Sequence, residues 1–511
     1  MNTPTIARNS LWYGVETAIM LVSGILTSIV IARALGPVKL GHYTYIAWLV
    51  NITASIGALG VPSATSKYMG EYLGRGEAPV ARAIFFDTLR LQTCMATLLT
   101  LIAICIAWFA TAPDMRWTAV LLSAAMWPAM VIWIPSQANM ARENMFANVP
   151  SALLSNMIYV IGVILTVIFS RDTVGLAATL LTMRSAELLM RIVPVLRWMR
   201  GIPYALVPAA VRRRLINFSF QSTILMLLAI IVFDRSEVIL LRYFSDIRQL
   251  AFYTVVFNVT ERLRSLPQVF SSAVGATMIA QYGRNPANLK SILSGTIRYL
   301  ALMAAPVHVG LAILSGPIIL FTYGSKYSEA IPLMAVASLL ALPRVVLAPV
   351  SSLLAATDRQ DLSIKWGLWM AALNIALDFA LIPKFGGMGA VLANGVAQTV
   401  AVVGLCWFAN DAAKLAWPIA ALSKIGFASA AMAAAVLFLP HTHSHGLDVL
   451  LGICVGIVIF FAMIKMTRVL DETDRDRLAL LGNRLPSAFR SSFARLVELL
   501  APQLRRQAAV L

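Results

Sequence analysis

The sequence predicts an all-α polytopic membrane protein of about fourteen transmembrane helices, each long enough for a hydrocarbon core of about 30 Å. Composition is the first sign: 59% of the 511 residues are hydrophobic and 13% are charged, against about 45–50% and about 25% in soluble domains. Apolar runs of span length recur along the whole chain. The third sign is charge placement. Lys and Arg fall mostly on alternate loops, as they do on the cytoplasmic side of multi-spanning proteins.

The runs place spans near residues 12–33, 41–62, 88–110, 117–138, 151–170, 175–196, 218–242, 249–275, 299–322, 329–355, 366–383, 388–409, 416–438 and 447–466. The first runs straight into Ala32-Arg33-Ala34-Leu35-Gly36-Pro37, so it reads as a retained span rather than a cleaved signal peptide. With both termini cytoplasmic, the inner side holds Arg8, Lys67, Arg75, Arg82, Arg142, Arg191, Arg197, Arg200, Arg212 to Arg214 and most later Lys and Arg. The outer turns hold only Lys39, Arg116, Arg171, Arg242, Arg248, Lys326 and Lys384. That asymmetry agrees with an even number of spans. It accounts for most of the net charge of +18 and leaves no need for a nucleic-acid partner.

The domains follow from the loops and from internal echoes. Residues 1–200 read as a six-helix lobe, 201–215 as a cytoplasmic linker with Pro203, Pro208 and Arg212 to Arg214, and 216–410 as a second six-helix lobe. Residues 411–467 add two helices, and 468–511 form a basic amphipathic tail suited to the inner membrane surface. "ARALGPVKLGHY" after span one is echoed by "LRYFSDIRQLAFY" after span seven. Prolines recur in spans four (Pro128, Pro135) and ten (Pro343, Pro349). Parallel repeats of this kind, related by an axis along the membrane normal, usually enclose a substrate site.

Charges inside spans are costly, so they normally face a bundle interior or a wet cavity. The stretch "IVFDRSEVILLRYF" puts Asp234, Arg235 and Glu237 into span seven, and Arg262 and Arg264 lie in span eight. These five, with Arg184 and Arg344, are the candidate cavity lining. Asp234 and Glu237 share a helix face; with Glu16 and Asp378 they are the candidates for coupling to an ion, a proton or sodium. Pairs three residues apart, Asp87 with Arg90, Arg184 with Glu187 and Glu261 with Arg264, can instead neutralise one another or snorkel to the interface. Arginine matches phosphate oxygens bidentately, so a cavity lined this way suits an anionic, hydrophilic cargo.

Other chemistry is sparse. Cys94, Cys105, Cys406 and Cys454 sit in apolar runs without disulfide or zinc spacing. His441, His443 and His445 share a short outer turn without an acidic or Cys partner. No metal site, cofactor or catalytic dyad is expected, and the chain does not read as an enzyme.

"IARALGPVKLGHYTYIAWLVNITASIGALGVPSATSKYMGEYL" resembles the opening of the polysaccharide transporter family, the Wzx-type O-antigen and exopolysaccharide flippases. These belong to the multidrug/oligosaccharidyl-lipid/polysaccharide exporter superfamily. The likeness rests on Arg33, Leu35, Gly36, Pro37, Gly41, Tyr43, Gly57 and Gly60. It continues through "FYTVVFNVTERLRSLPQVFSSAVGATMIAQYG" and "NIALDFALIPKFGGMGAVLANGVAQTV", covering roughly residues 8 to 410. The resemblance implies a two-lobed, fourteen-helix protein of the bacterial inner membrane. It would move an undecaprenyl-pyrophosphate-linked oligosaccharide between leaflets by alternating access, for lipopolysaccharide or another surface polysaccharide. Its partners would be that lipid-linked cargo, membrane lipids and other polysaccharide assembly proteins. A drug/cation antiporter and a lipid II flippase are alternatives of the same superfamily. A membrane glycan polymerase fits less well, because no outer loop is large enough to hold catalytic residues.

Overall fold

The computed structural model describes residues 3–233, 237–261, 263, 288–357, 359–413, 417–440, 442–470 and 474, and every regular element among them is helical. In chain order these are α1 (Thr3–Gly57), α2 (Val61–Gly74), α3 (Ala78–Ala110), α4 (Arg116–Val131), α5 (Trp133–Ala141), α6 (Val149–Phe169), α7 (Thr173–Met199), α8 (Ala209–Phe233) and α9 (Glu237–Phe244). There follow α10 (247–261), α11 (Asn288–Ile313), α12 (Ser315–Thr322), α13 (Ala330–Leu340), α14 (Leu347–Ala356), α15 (Gln360–Ala413), α16 (Ile419–Leu437) and α17 (His445–Thr467).

Among the described residues, nine stretches are long and apolar enough to cross a membrane, so the chain is a multi-pass membrane protein. Where fourteen spans were expected, part of the difference has physical causes and part lies in which residues are described. Two stretches, Gly14–Gly57 and Leu362–Asn410, run for 44 and 49 residues. At 1.5 Å per residue each is about twice the thickness of the hydrocarbon core, and each covers two expected spans. The breaks are Gly36 (φ 70°, ψ 173°) and Gly386 (φ 55°, ψ −128°), conformations that glycine adopts without a Cβ penalty. Pro37 directly after Gly36 prevents a continuous ladder there. Helix α7 is 27 residues long but carries Arg184, Glu187 and Arg191 and so lies outside the nine. The seventh expected span, 218–242, is described without 234–236, and the eighth, 249–275, is described to 261 and at 263. The basic tail, apart from 468–470 and Asp474, lies outside the described residues.

The chain forms two compact units: Met1–Arg262 with Gly367–Ala397, and Leu263–Trp366 with Gln398–Leu511. In the first, Ala54, Ala96, Met126, Met130 and Leu188 close a core between α1, α3, α4 and α7. Small residues at such contacts let helices approach closely where no hydrophobic drive exists between them. A second core gathers Tyr68, Phe85, Ile134, Val195 and Leu215. It holds the linker in place: Arg82 donates to the carbonyl of Ile202, Tyr68 donates to that of Arg214 at 3.1 Å, and Arg214 pairs with Glu71 at 3.3 Å. The nearby Glu71 charge holds the Arg214 guanidinium above its ordinary pKa. In the second unit Leu289, Leu293, Val350, Leu353, Leu405 and Ala409 pack together, and Ile425, Met432, Phe460 and Ile464 form a further cluster. Outward-facing Phe109, Phe169 and Phe438 are at least 80% exposed. Such exposure is ordinary where the solvent is lipid.

Candidate functional site

The first unit holds three polar features inside its helices. One is an ion network. Arg191 Nη2 on α7 donates to Glu16 Oε1 of α1 and Glu187 Oε1, each at 2.7 Å. Its Nη1 donates to Ser136 Oγ of α5 at 2.8 Å, and Arg184 Nη1 meets Glu187 Oε2 at 3.3 Å. Glu16, Glu187 and Arg191 are buried. Two guanidinium and two carboxylate groups sum to zero, which is what lets them sit inside a bundle. The Arg184–Glu187 pairing foreseen from spacing is present. Arg191, counted from sequence with the cytoplasmic charges, is instead buried at the centre of this network. Asp87, expected to pair with Arg90, meets Arg212 at 3.0 Å in a half-exposed contact.

The second feature is a carboxylate cluster. Glu237 opens α9 with no exposed surface. Its Oε2 accepts from the Tyr253 hydroxyl of α10 at 2.9 Å, and its Oε1 accepts from Asn394 Nδ2 of α15 at 2.5 Å. Asn374 reaches the same carboxylate and donates Nδ2 to Asp378 Oδ2, one turn further along α15, at 3.4 Å. Asp378 is also fully buried, and its Oδ1 has no hydrogen-bond partner among the described residues. Among the described residues the hydrogen-bond partners of the two carboxyl groups are neutral amides and a phenol, and buried carboxylates in such a setting call for a proton or a cation to balance them. The break at Gly386 brings Asn394 back beside the segment carrying Asn374 and Asp378.

The third is a cavity of about 390 Å³ lined by α1, α4, α6, α7 and α10. Its wall includes Tyr43, Trp48, Asn51, Tyr159, Arg184 and Asn258, and Tyr43 and Tyr159 hydrogen-bond through their hydroxyls. Arg184 therefore belongs to the cavity and to the ion network together.

The sequence candidates thus divide. Glu237 and Asp378 come together, Glu16 joins the ion network, and Arg184 reaches the cavity. Arg344 is buried in a 3-10 turn, Pro343–Val346, of the second unit. Asp234, Arg235, Arg262 and Arg264 lie outside the described residues, as does His441. Among the described residues no group of three or more His, Cys, Asp or Glu could hold a metal ion. Sequence reasoning missed Asn374, Asn394, the role of Tyr253 beside Glu237, and the cavity residues other than Arg184. Of these only Asn374 left a signal: it stands four residues before Asp378, on the same face.

Long membrane helices broken at glycines thus carry buried carboxylates among amides and enclose a polar cavity in a multi-pass membrane fold. Solved structures agree. A lipid II flippase, MurJ, in an inward closed conformation shares the fold with a TM-score of 0.71 at 16% identity, over 89% of this chain and 98% of that one. An inward-facing multidrug resistance MATE family transporter of the MOP superfamily gives 0.66 at 14% identity, over 80% and 96%. The chain belongs to the family described as polysaccharide biosynthesis protein, whose profile it matches over residues 30–332. It is 26% identical over 206 residues to the probable flippase AglR of Haloferax volcanii, and that match spans 43% of AglR's length and 40% of this chain.

Proposed function

We propose that the protein is a flippase for an undecaprenyl-pyrophosphate-linked oligosaccharide in surface polysaccharide biosynthesis. It works by alternating access between lobes at 1–200 and 216–410 in the bacterial inner membrane, with both termini cytoplasmic. The observation that carries this reading is a polar, aromatic-lined cavity inside the membrane helices of a polysaccharide biosynthesis family member. In this reading Arg262 and Arg264 take the pyrophosphate, for which a guanidinium fork is suited. Glu237 and Asp378 exchange the coupling proton or sodium ion, and the lipid tail stays in the bilayer. The test is a deletion strain. Mass spectrometry of its lipid extract should find the lipid-linked glycan accumulated. A strain with unchanged glycan lipids and a new sensitivity to cationic drugs would favour the antiporter reading, which the acidic cluster Glu237–Asp378 also suits.

The Lys/Arg asymmetry carries the topology. Reporter fusions after Lys67, Arg214 and Arg468 should read as cytoplasmic and a fusion at His443 as periplasmic. A periplasmic signal at Arg214 overturns the two-lobe arrangement.

A further inference from the structure

The geometry points to a glycan subsite in the cavity of the first unit, one that takes an uncharged sugar ring rather than the phosphate of the cargo. It rests on the reading above that the cargo is a lipid-linked oligosaccharide. The cavity, at about 390 Å³, falls within the range of about 300–1,000 Å³ common for small-molecule sites. Three of its walls are aromatic: Tyr43, Trp48 and Tyr159. Such rings offer broad apolar faces with a negative quadrupole, against which the C–H face of a pyranose stacks. Two carboxamides, Asn51 and Asn258, share the lining. A carboxamide presents both donors and an acceptor, the complement of a hydroxyl, which also does both. Phosphate oxygens only accept, so each amide oxygen turned toward them would repel.

The charge inventory leads the same way. Among the described residues of the lining, Arg184 is the one that carries a charge, and it is already committed to Glu187 at 3.3 Å. The network that holds it, Glu16, Glu187, Arg184 and Arg191, is neutral. A pyrophosphate brings several negative charges and would have to be desolvated against a single shared cation, which is unfavourable. A neutral ring carries no such penalty. Arg184 can still donate a remaining N–H to a hydroxyl while keeping Glu187. The hydrogen bond between Tyr43 and Tyr159 fixes two of the rings, so the pocket is preorganised for a flat, hydroxyl-edged ligand.

Isothermal titration of the purified full-length protein tests this. The probes are free glucose, galactose, mannose, N-acetylglucosamine and their disaccharides, with inorganic pyrophosphate as competitor. At least one neutral saccharide should bind, and pyrophosphate should leave that binding unchanged. Asn51→Ala and Asn258→Ala should each weaken it by about two- to tenfold, as the loss of one hydrogen bond does. Trp48→Leu should abolish it, while the exposed Asn51→Ala variant melts at the wild-type temperature. Displacement of the sugar by pyrophosphate overturns the proposal. So does saccharide binding that the three variants leave intact, or no saccharide binding by a protein that moves lipid-linked glycan in cells. An absence of glycan-lipid accumulation in the deletion strain overturns the flippase reading instead, and the titration still decides this one.

Discussion

Glu237→Ala is expected to abolish transport and to lower the melting temperature, whereas Glu237→Gln should abolish transport with stability nearly kept. The difference lies in what each change leaves behind. Glu237 is fully buried and accepts from the Tyr253 hydroxyl and from Asn394 Nδ2. Alanine removes the carboxylate that accepts from both, and a buried hydrogen bond lost in this way costs about 1–3 kcal/mol. Glutamine keeps the shape and one carbonyl acceptor, and its amide can donate to the Tyr253 oxygen. What it loses is the charge, and with it the ability to take up and release a proton or to hold a cation beside Asp378. Melting curves of the purified variants and complementation of the deletion strain read the two effects separately. Normal transport by Glu237→Gln would mean that the cluster is a static polar clamp between α9, α10 and α15.

That cluster shows where sequence reasoning reaches and where it stops. Helical spacing exposes partners on the same helix: Arg184 with Glu187, three apart, was read, and Asn374 before Asp378, four apart, left a signal of the same kind that was not. It cannot see across the bundle. Asn394 lies 157 residues from Glu237, and Glu16 lies 175 from Arg191. Arg191 therefore looked like an ordinary cytoplasmic charge at a span end, and Asp87 looked committed to Arg90 although Arg212 takes it. The all-helical membrane class was plain from composition because lipid demands it. The separate apolar runs on either side of Gly36 and of Gly386 were legible too: the backbone is helical on both sides of each glycine and breaks at it, so each long stretch covers two expected spans.

The buried ion network should be the more sensitive place to break the first unit. Arg191 is the hub, holding Glu16, Glu187 and Ser136 from three helices. Removing one partner of a buried ion pair costs about 3–5 kcal/mol, because the other charge stays behind unpaired. Arg191→Met strands Glu16, and leaves Glu187 with only the partly exposed Arg184. Its folded yield should fall steeply and its melting temperature should drop by more than that of Glu237→Ala. Glu16→Gln should be milder, since the amide oxygen can still accept from the guanidinium. Arg191→Lys should fall between, because an ammonium keeps the charge but not the fork that reaches three partners at once. The decisive variant replaces the three buried members, Arg191→Met with Glu16→Leu and Glu187→Leu, and leaves only the partly exposed Arg184. Apolar replacement of a complete buried ion cluster is often neutral or stabilising, so folded yield should return. Transport should not, because Arg184 at the cavity wall has then lost the carboxylate that holds it in place and balances its charge. If the triple variant transports at the wild-type rate, the network serves only packing, and Arg184 takes no part in handling the cargo.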